Sequence, residues 1–200
     1  MRKLFCLIIV LVVFLMNSPE NSYGYDGVAQ EFKSPQKIKS SQEIELEYMT
    51  PTSEKRRDID TISLNIFNEY YNNNDRVSIL GGITMTRPWG YIEESGEQKS
   101  FAFGIGPVIL RRYYLLQGDW AALSWDMSGG FIFYTKDFPY DGRWYNFMWR
   151  MGPKFSCRIS DNSVLSIGYK LMHVSNGHLS GHKNPAYNAE GFSLSIMKLF

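Results

Sequence analysis

The sequence predicts an all-β chain, an eight-stranded antiparallel transmembrane β-barrel of the outer membrane. Three observations predict it. Eight segments alternate large apolar residues with small or charged ones, short turns alternate with longer polar links, and the N-terminus has the order of a secretory leader.

The leader is Met1-Arg2-Lys3, then an apolar run from Leu4 to Met16, then Ser22-Tyr23-Gly24. A charged start, a short apolar stretch and small residues are the marks of a signal peptide. The run is too short for a comfortable membrane helix. Cleavage is expected after Gly24, leaving 200 − 24 = 176 residues. Cys6 leaves with the leader, so Cys157 stands alone and forms no intramolecular disulfide. Cys6 precedes the apolar run instead of following it, which excludes a lipoprotein reading. Removing Arg2, Lys3 and Glu20 leaves 21 − 2 = 19 basic and 20 − 1 = 19 acidic residues. A balanced charge argues against nucleic acid as a partner.

Residues 25–42 are polar and read as a lead-in, with the barrel at 43–200. In 43–49, Ile44, Leu46 and Tyr48 oppose Glu45 and Glu47. In 61–71, Ile62, Leu64 and Ile66 oppose Ser63 and Asn65. In 77–85, Val77, Ile79, Ile83 and Met85 oppose Ser78, Gly82 and Thr84. In 101–109, Phe101, Phe103, Ile105 and Ile109 oppose Ala102, Gly104 and Gly106. In 121–133, Leu123, Trp125, Met127, Phe131 and Phe133 oppose Ser124, Asp126, Ser128 and Gly130. In 145–157, Tyr145, Phe147, Trp149, Met151 and Phe155 oppose Asn146, Arg150, Lys154 and Ser156. In 165–175, Leu165, Ile167, Tyr169 and Leu171 oppose Ser166, Gly168 and Lys170. In 188–200, Phe192, Leu194 and Ile196 oppose Ser193 and Ser195.

Alternation alone also fits a secreted sandwich. The connections favour a barrel in lipid. Tight turns at Asn72–Asp75, Gln117–Asp119 and Ser160–Asn162 alternate with links at about 50–58, 87–99, 135–143 and 176–187. Tyr70, Tyr71, Tyr113, Tyr114, Trp120, Tyr134, Trp144 and Tyr145 cluster near strand ends and are expected in interfacial girdles. The chain also ends in Phe200.

The chemistry is concentrated in His173-Val174-Ser175-Asn176-Gly177 and the segment Asn184–Glu190, and the three histidines (His173, His178, His182) all lie here. A histidine two residues before a serine on a strand shares its face. An imidazole in reach can take the serine proton, and a third polar group must hold the ring. Asn188 and Glu190 both qualify. With the termini on one side, the seventh segment delivers His173 and Ser175 to the end where the eighth begins, all on the lipid face. Polar groups there are costly unless paired or interfacial. The bland alternative is a turn after a strand. A histidine metal site matches no strong spacing, and Cys157 reads as a small apolar strand residue.

From about Gly142 to Phe200 the chain resembles the outer-membrane lipid A 3-O-deacylases (acyloxyacyl hydrolase-like). The resemblance rests on Asn146-Phe147, Gly168-Tyr169, His173-x-Ser175-Asn176 and Asn184-Pro185, and upstream it is only architectural. It implies a serine carboxylic-ester hydrolase without cofactor or metal, acting on lipid A of the outer leaflet, with a homodimer left open. Ser175 would be nucleophile, His173 base, and Asn176 with backbone N–H groups would serve the oxyanion. The family's third member is a glutamate, whereas relatives with Asn-Pro-Gly-x-Asn align Asn188. Asn188 is favoured on alignment and Glu190 on charge. The alternatives are an outer-membrane phospholipase A-like esterase, whose family uses His-x-Ser-Asn-Gly with an asparagine on a larger barrel, and a non-catalytic structural barrel.

Overall fold

A computed structural model describes residues 41–52, 57–73, 76–92, 102–139, 141–179 and 185–200. The leader, the lead-in up to residue 40, His182 and Asn184 lie outside the described residues. The strands are β1 (Ser41–Pro51), β2 (Arg57–Asn73), β3 (Val77–Ile92), β4 (Gly104–Gln117), β5 (Ala121–Phe138), β6 (Arg143–Ser160), β7 (Ser163–Ser175) and β8 (Tyr187–Leu199). Each pairs antiparallel with the next, and β1 pairs with β8, so the sheet closes into a barrel. Closure removes the free edges through which a sheet would recruit other chains.

The wall follows the alternation segment by segment. Ile105, Ile109, Phe131, Ile167, Phe192 and Leu194 stand outward and exposed. The small and charged residues turn in and are buried. Most strand ends lie beyond the expected ones, and β4 is displaced to Gly104–Gln117 from the expected 101–109. β1 takes in Ser41 and Gln42, because they continue the ladder to Leu199 and Lys198. β3 runs on to Ile92, carrying Pro88 opposite Thr61. β5 and β6 nearly meet across 139–142, where Asn146 Nδ2 donates to the carbonyls of Phe138 (2.6 Å) and Arg143 (3.0 Å). The expected links at 87–99 and 135–143 are therefore shorter, while 93–103 and 176–186 remain long.

Inside, the barrel is filled in layers. At the end with the long links, an apolar plug holds Met49, Ile59, Tyr134, Phe138, Met172 and Tyr187. Tyr134 is thus an interior residue and not part of a girdle, since it follows the outward Phe133 by one position. Tyr70, Tyr71, Trp120 and Trp144 are exposed. Mid-barrel, charges form an unbroken chain. Asp126 binds Arg112 through both oxygens (2.9 Å each), Arg112 reaches Glu43 (2.8 Å), and Glu43 and Glu45 both hold Lys154. Glu45 and Glu47 hold Lys170, and Glu47 closes on Arg150 at 2.9 Å. Arg150 also donates to Ser63, Asn65 and Thr84. Positive and negative side chains balance one for one. Burying ions is costly unless they are paired, and here each contacts an opposite charge. Towards the short-turn end, Phe67, Leu80, Val108 and Leu110 complete the filling.

Candidate active site

The site forms where β6, β7 and β8 lie side by side at the long-link end. The register sets it. His173 on β7 stands directly opposite Trp149 on β6 and Asn188 on β8. Directly opposed residues bring their Cβ atoms within about 4.5–5.5 Å. All three point outward. Ser175 is opposite Phe147 on β6.

The side chains meet as these positions require. His173 Nε2 is 3.0 Å from Ser175 Oγ, and His173 Nδ1 is 2.7 Å from Asn188 Oδ1. With the amide oxygen toward the ring, Nδ1–H donates and Nε2 is left as acceptor for the serine hydroxyl. That is the tautomer in which an imidazole can take a serine proton. His173, Ser175 and Asn188 are each half-buried. The Trp149 indole stacks on the imidazole, with centroids 5.5 Å apart and planes 23° from parallel.

The interior holds the strand ends in place. Val174 and Met172 alternate with His173 and are buried. Tyr187, the neighbour of Asn188, turns in. Its hydroxyl donates to the Ile59 carbonyl at 2.6 Å, lies 2.9 Å from Thr61 Oγ1, and its ring meets Phe138 edge-on at 5.2 Å. Asn188 is thus fixed by a side chain on the opposite face of its strand.

Glu190 shares the outward face but lies two pairs further along, opposite Leu171. Its Oε2 accepts the Tyr169 hydroxyl at 2.7 Å. The structure brings Asn188, not Glu190, to the imidazole. Asn176 is buried, and its Oδ1 accepts the His178 N–H at 3.0 Å. Leu179 N–H closes on the Asn176 carbonyl at 3.3 Å. Gly177 has φ +65, and a Cβ there would stand 3.1 Å from the Phe147 ring, so the turn after Ser175 calls for glycine. Among the described residues no group of three or more His, Cys, Asp or Glu side chains is arranged to hold a metal.

No protein-family description matches the chain. No curated protein matches it either. Among solved structures it is similar to one described as the outer membrane enzyme PagL, at 14% identity and a TM-score of 0.47, covering 79% of this chain and 98% of that one.

Trp149 was visible in the sequence only as one of several outward aromatics. Its pairing with His173 depends on a register shift between Arg158 and Ser160. Counting back from the Ser160–Ser163 pair without that shift puts Val174 opposite Trp149.

Proposed function

We propose that this protein is an outer-membrane serine esterase that removes an ester-linked acyl chain from a lipid of the outer leaflet. The finer reading is the 3-O-acyl chain of lipid A. The observation that carries it is the hydrogen-bonded row Ser175–His173–Asn188 on the outer wall of a barrel whose outward face is largely apolar. A wall of that kind matches hydrocarbon better than water. A lipid ester then reaches the serine without leaving its leaflet.

In this scheme Ser175 Oγ attacks the ester carbonyl while His173 Nε2 takes its proton. The imidazolium returns that proton to the leaving alcohol, giving an acyl-enzyme. Water, deprotonated by His173, then releases the fatty acid and restores Ser175. The oxyanion is assigned to N–H groups of the turn that begins at Asn176, whose side chain orders that turn by accepting from His178. Asn188 orients the ring but supplies no negative charge. The asparagine is what favours the phospholipase A-like reading as second choice.

The test has two parts. The mature protein is expected in outer-membrane fractions, with a mobility that changes on heating, as a closed barrel requires. Lipid A from cells making the protein is expected to lose one 3-hydroxy fatty acid by mass spectrometry. Recovery as a soluble periplasmic protein sinks the membrane reading. Unchanged lipid A with calcium-dependent release of fatty acid from phospholipids transfers the assignment to the second reading.

Asn188→Ala is expected to lower turnover by about 10²–10⁴-fold. Glu190→Gln should stay within about fivefold of wild type, because Glu190 contacts Tyr169 and not the imidazole. Comparable losses in both variants would show that the ring is not oriented by Asn188 alone.

A further inference from the structure

Ser175 has a base, and the base has an orienting group, but that group is neutral. When the imidazole takes the serine proton it becomes a cation, and the amide on Nδ1 offers it a dipole instead of a carboxylate. The ring also contacts Trp149. Its indole lies nearly parallel to the imidazole at 5.5 Å between centroids, within the distance of about 6 Å at which a cation over an aromatic face is stabilised by the ring quadrupole. Tryptophan has the strongest such face among the side chains. His173 is half-buried and Trp149 stands exposed on the apolar wall, where little water competes for the charge once that wall lies in lipid as proposed.

We infer that Trp149 is a positioning residue that stabilises the His173 imidazolium through its π face, in the role a triad carboxylate takes elsewhere. The inference rests on the esterase reading above. It predicts more than packing. A packing residue holds the ring in place whatever its charge, whereas a π face favours the charged ring over the neutral one. Other titratable or charged groups face the same region. Glu190 on β8 is held by Tyr169 on β7. Tyr145 and Arg143 lie outward along β6, and His178 is in the turn. On β6 and β7, Arg150 and Lys170 are turned into the barrel and paired with Glu47 and Glu45. Neither flanking contact with the imidazole, Asn188 or Trp149, carries a charge.

The experiment is a pH–rate profile of fatty-acid release from lipopolysaccharide in detergent micelles, from about pH 5 to about pH 9. It compares wild type, Trp149→Phe, Trp149→Leu and protein carrying mono- to trifluorinated tryptophan at position 149. A base works in its neutral form, so activity rises with pH along an acid limb. Stabilising the imidazolium places that limb at higher pH. Trp149→Leu is therefore expected to move it to lower pH by about half a unit to one and a half units. It should also lower kcat by about three- to thirtyfold with a smaller change in KM. Trp149→Phe should fall between. Fluorination drains the π face without changing its shape, so limb and kcat should fall stepwise with each fluorine. Glu190→Gln serves as control and should leave the limb in place.

A kcat loss in Trp149→Leu with an unmoved limb, or a flat fluorine series, overturns the inference and leaves the esterase reading standing. An absence of turnover in wild type overturns both. A limb that moves in Glu190→Gln but not in the fluorine series assigns the stabilisation to the carboxylate and likewise overturns the inference.

Discussion

Ser175→Ala is expected to abolish release of fatty acid, lowering turnover by about 10⁴-fold or more, while the barrel stays folded. The reason lies in what the substitution removes. Ser175 Oγ is the only atom of that side chain able to bond to an acyl carbon, and it is 3.0 Å from the nitrogen that would take its proton. Without it His173 can act only on water, which is not held at the ester, and triad serines are worth orders of magnitude for that reason. The side chain contributes little to the wall, being half-buried at the last position of β7. Heat-dependent mobility should therefore match wild type. The assay is release of 3-hydroxy fatty acid from purified lipopolysaccharide in detergent, with and without a chelator, and chelation is expected to matter little. Full activity in the alanine variant would refute the serine mechanism.

Glu45→Leu is expected to be the most damaging single change to stability. Glu45 is fully buried and spans Lys154 and Lys170, the middle link of the interior chain of charges. Removing it leaves each lysine with less negative charge nearby and no water to replace it. Breaking a buried pair in this way costs about 3–5 kcal/mol. The measurement is the urea midpoint of the barrel folded in lipid vesicles. Adding Lys154→Met to Glu45→Leu restores the balance of charge, and most of the loss should return. A double variant no more stable than the single one would show that the cost lies in packing and not in unpaired charge.

Much of this arrangement was legible in the residues. Period-two alternation assigned the inward and outward faces of all eight strands, because in this barrel the inside is polar at mid-height and the outside is apolar. It failed where the inside is also apolar. Tyr134 looked like an interfacial aromatic because nothing local distinguishes a plug at the barrel mouth from a girdle outside it. Strand ends were underestimated where Pro88 and the 135–138 stretch interrupt the apolar pattern, although the backbone ladder continues through them. Within the site, His173 and Ser175 share a face by parity alone. The choice between Asn188 and Glu190 was not available. Both satisfy the parity, and the 176–186 connection offers no tight turn from which to count the register. Only the ladder pairing His173 with Asn188 separates them.

On the proposed esterase reading, the row Ser175–His173–Asn188 works from the outer wall, which changes the meaning of substrate concentration. A pocket opening to water samples solute in three dimensions. Here Ser175 lies opposite Phe147 and beside the His173–Trp149 pair, a surface that a lipid would brush past while diffusing sideways. The quantity that governs encounter is the mole fraction of the ester within its own leaflet. Dilution of the whole suspension leaves that fraction unchanged, whereas admixture of an inert amphiphile lowers it. In that reading the ordering of lipid around the barrel would act on the reaction as directly as any side chain.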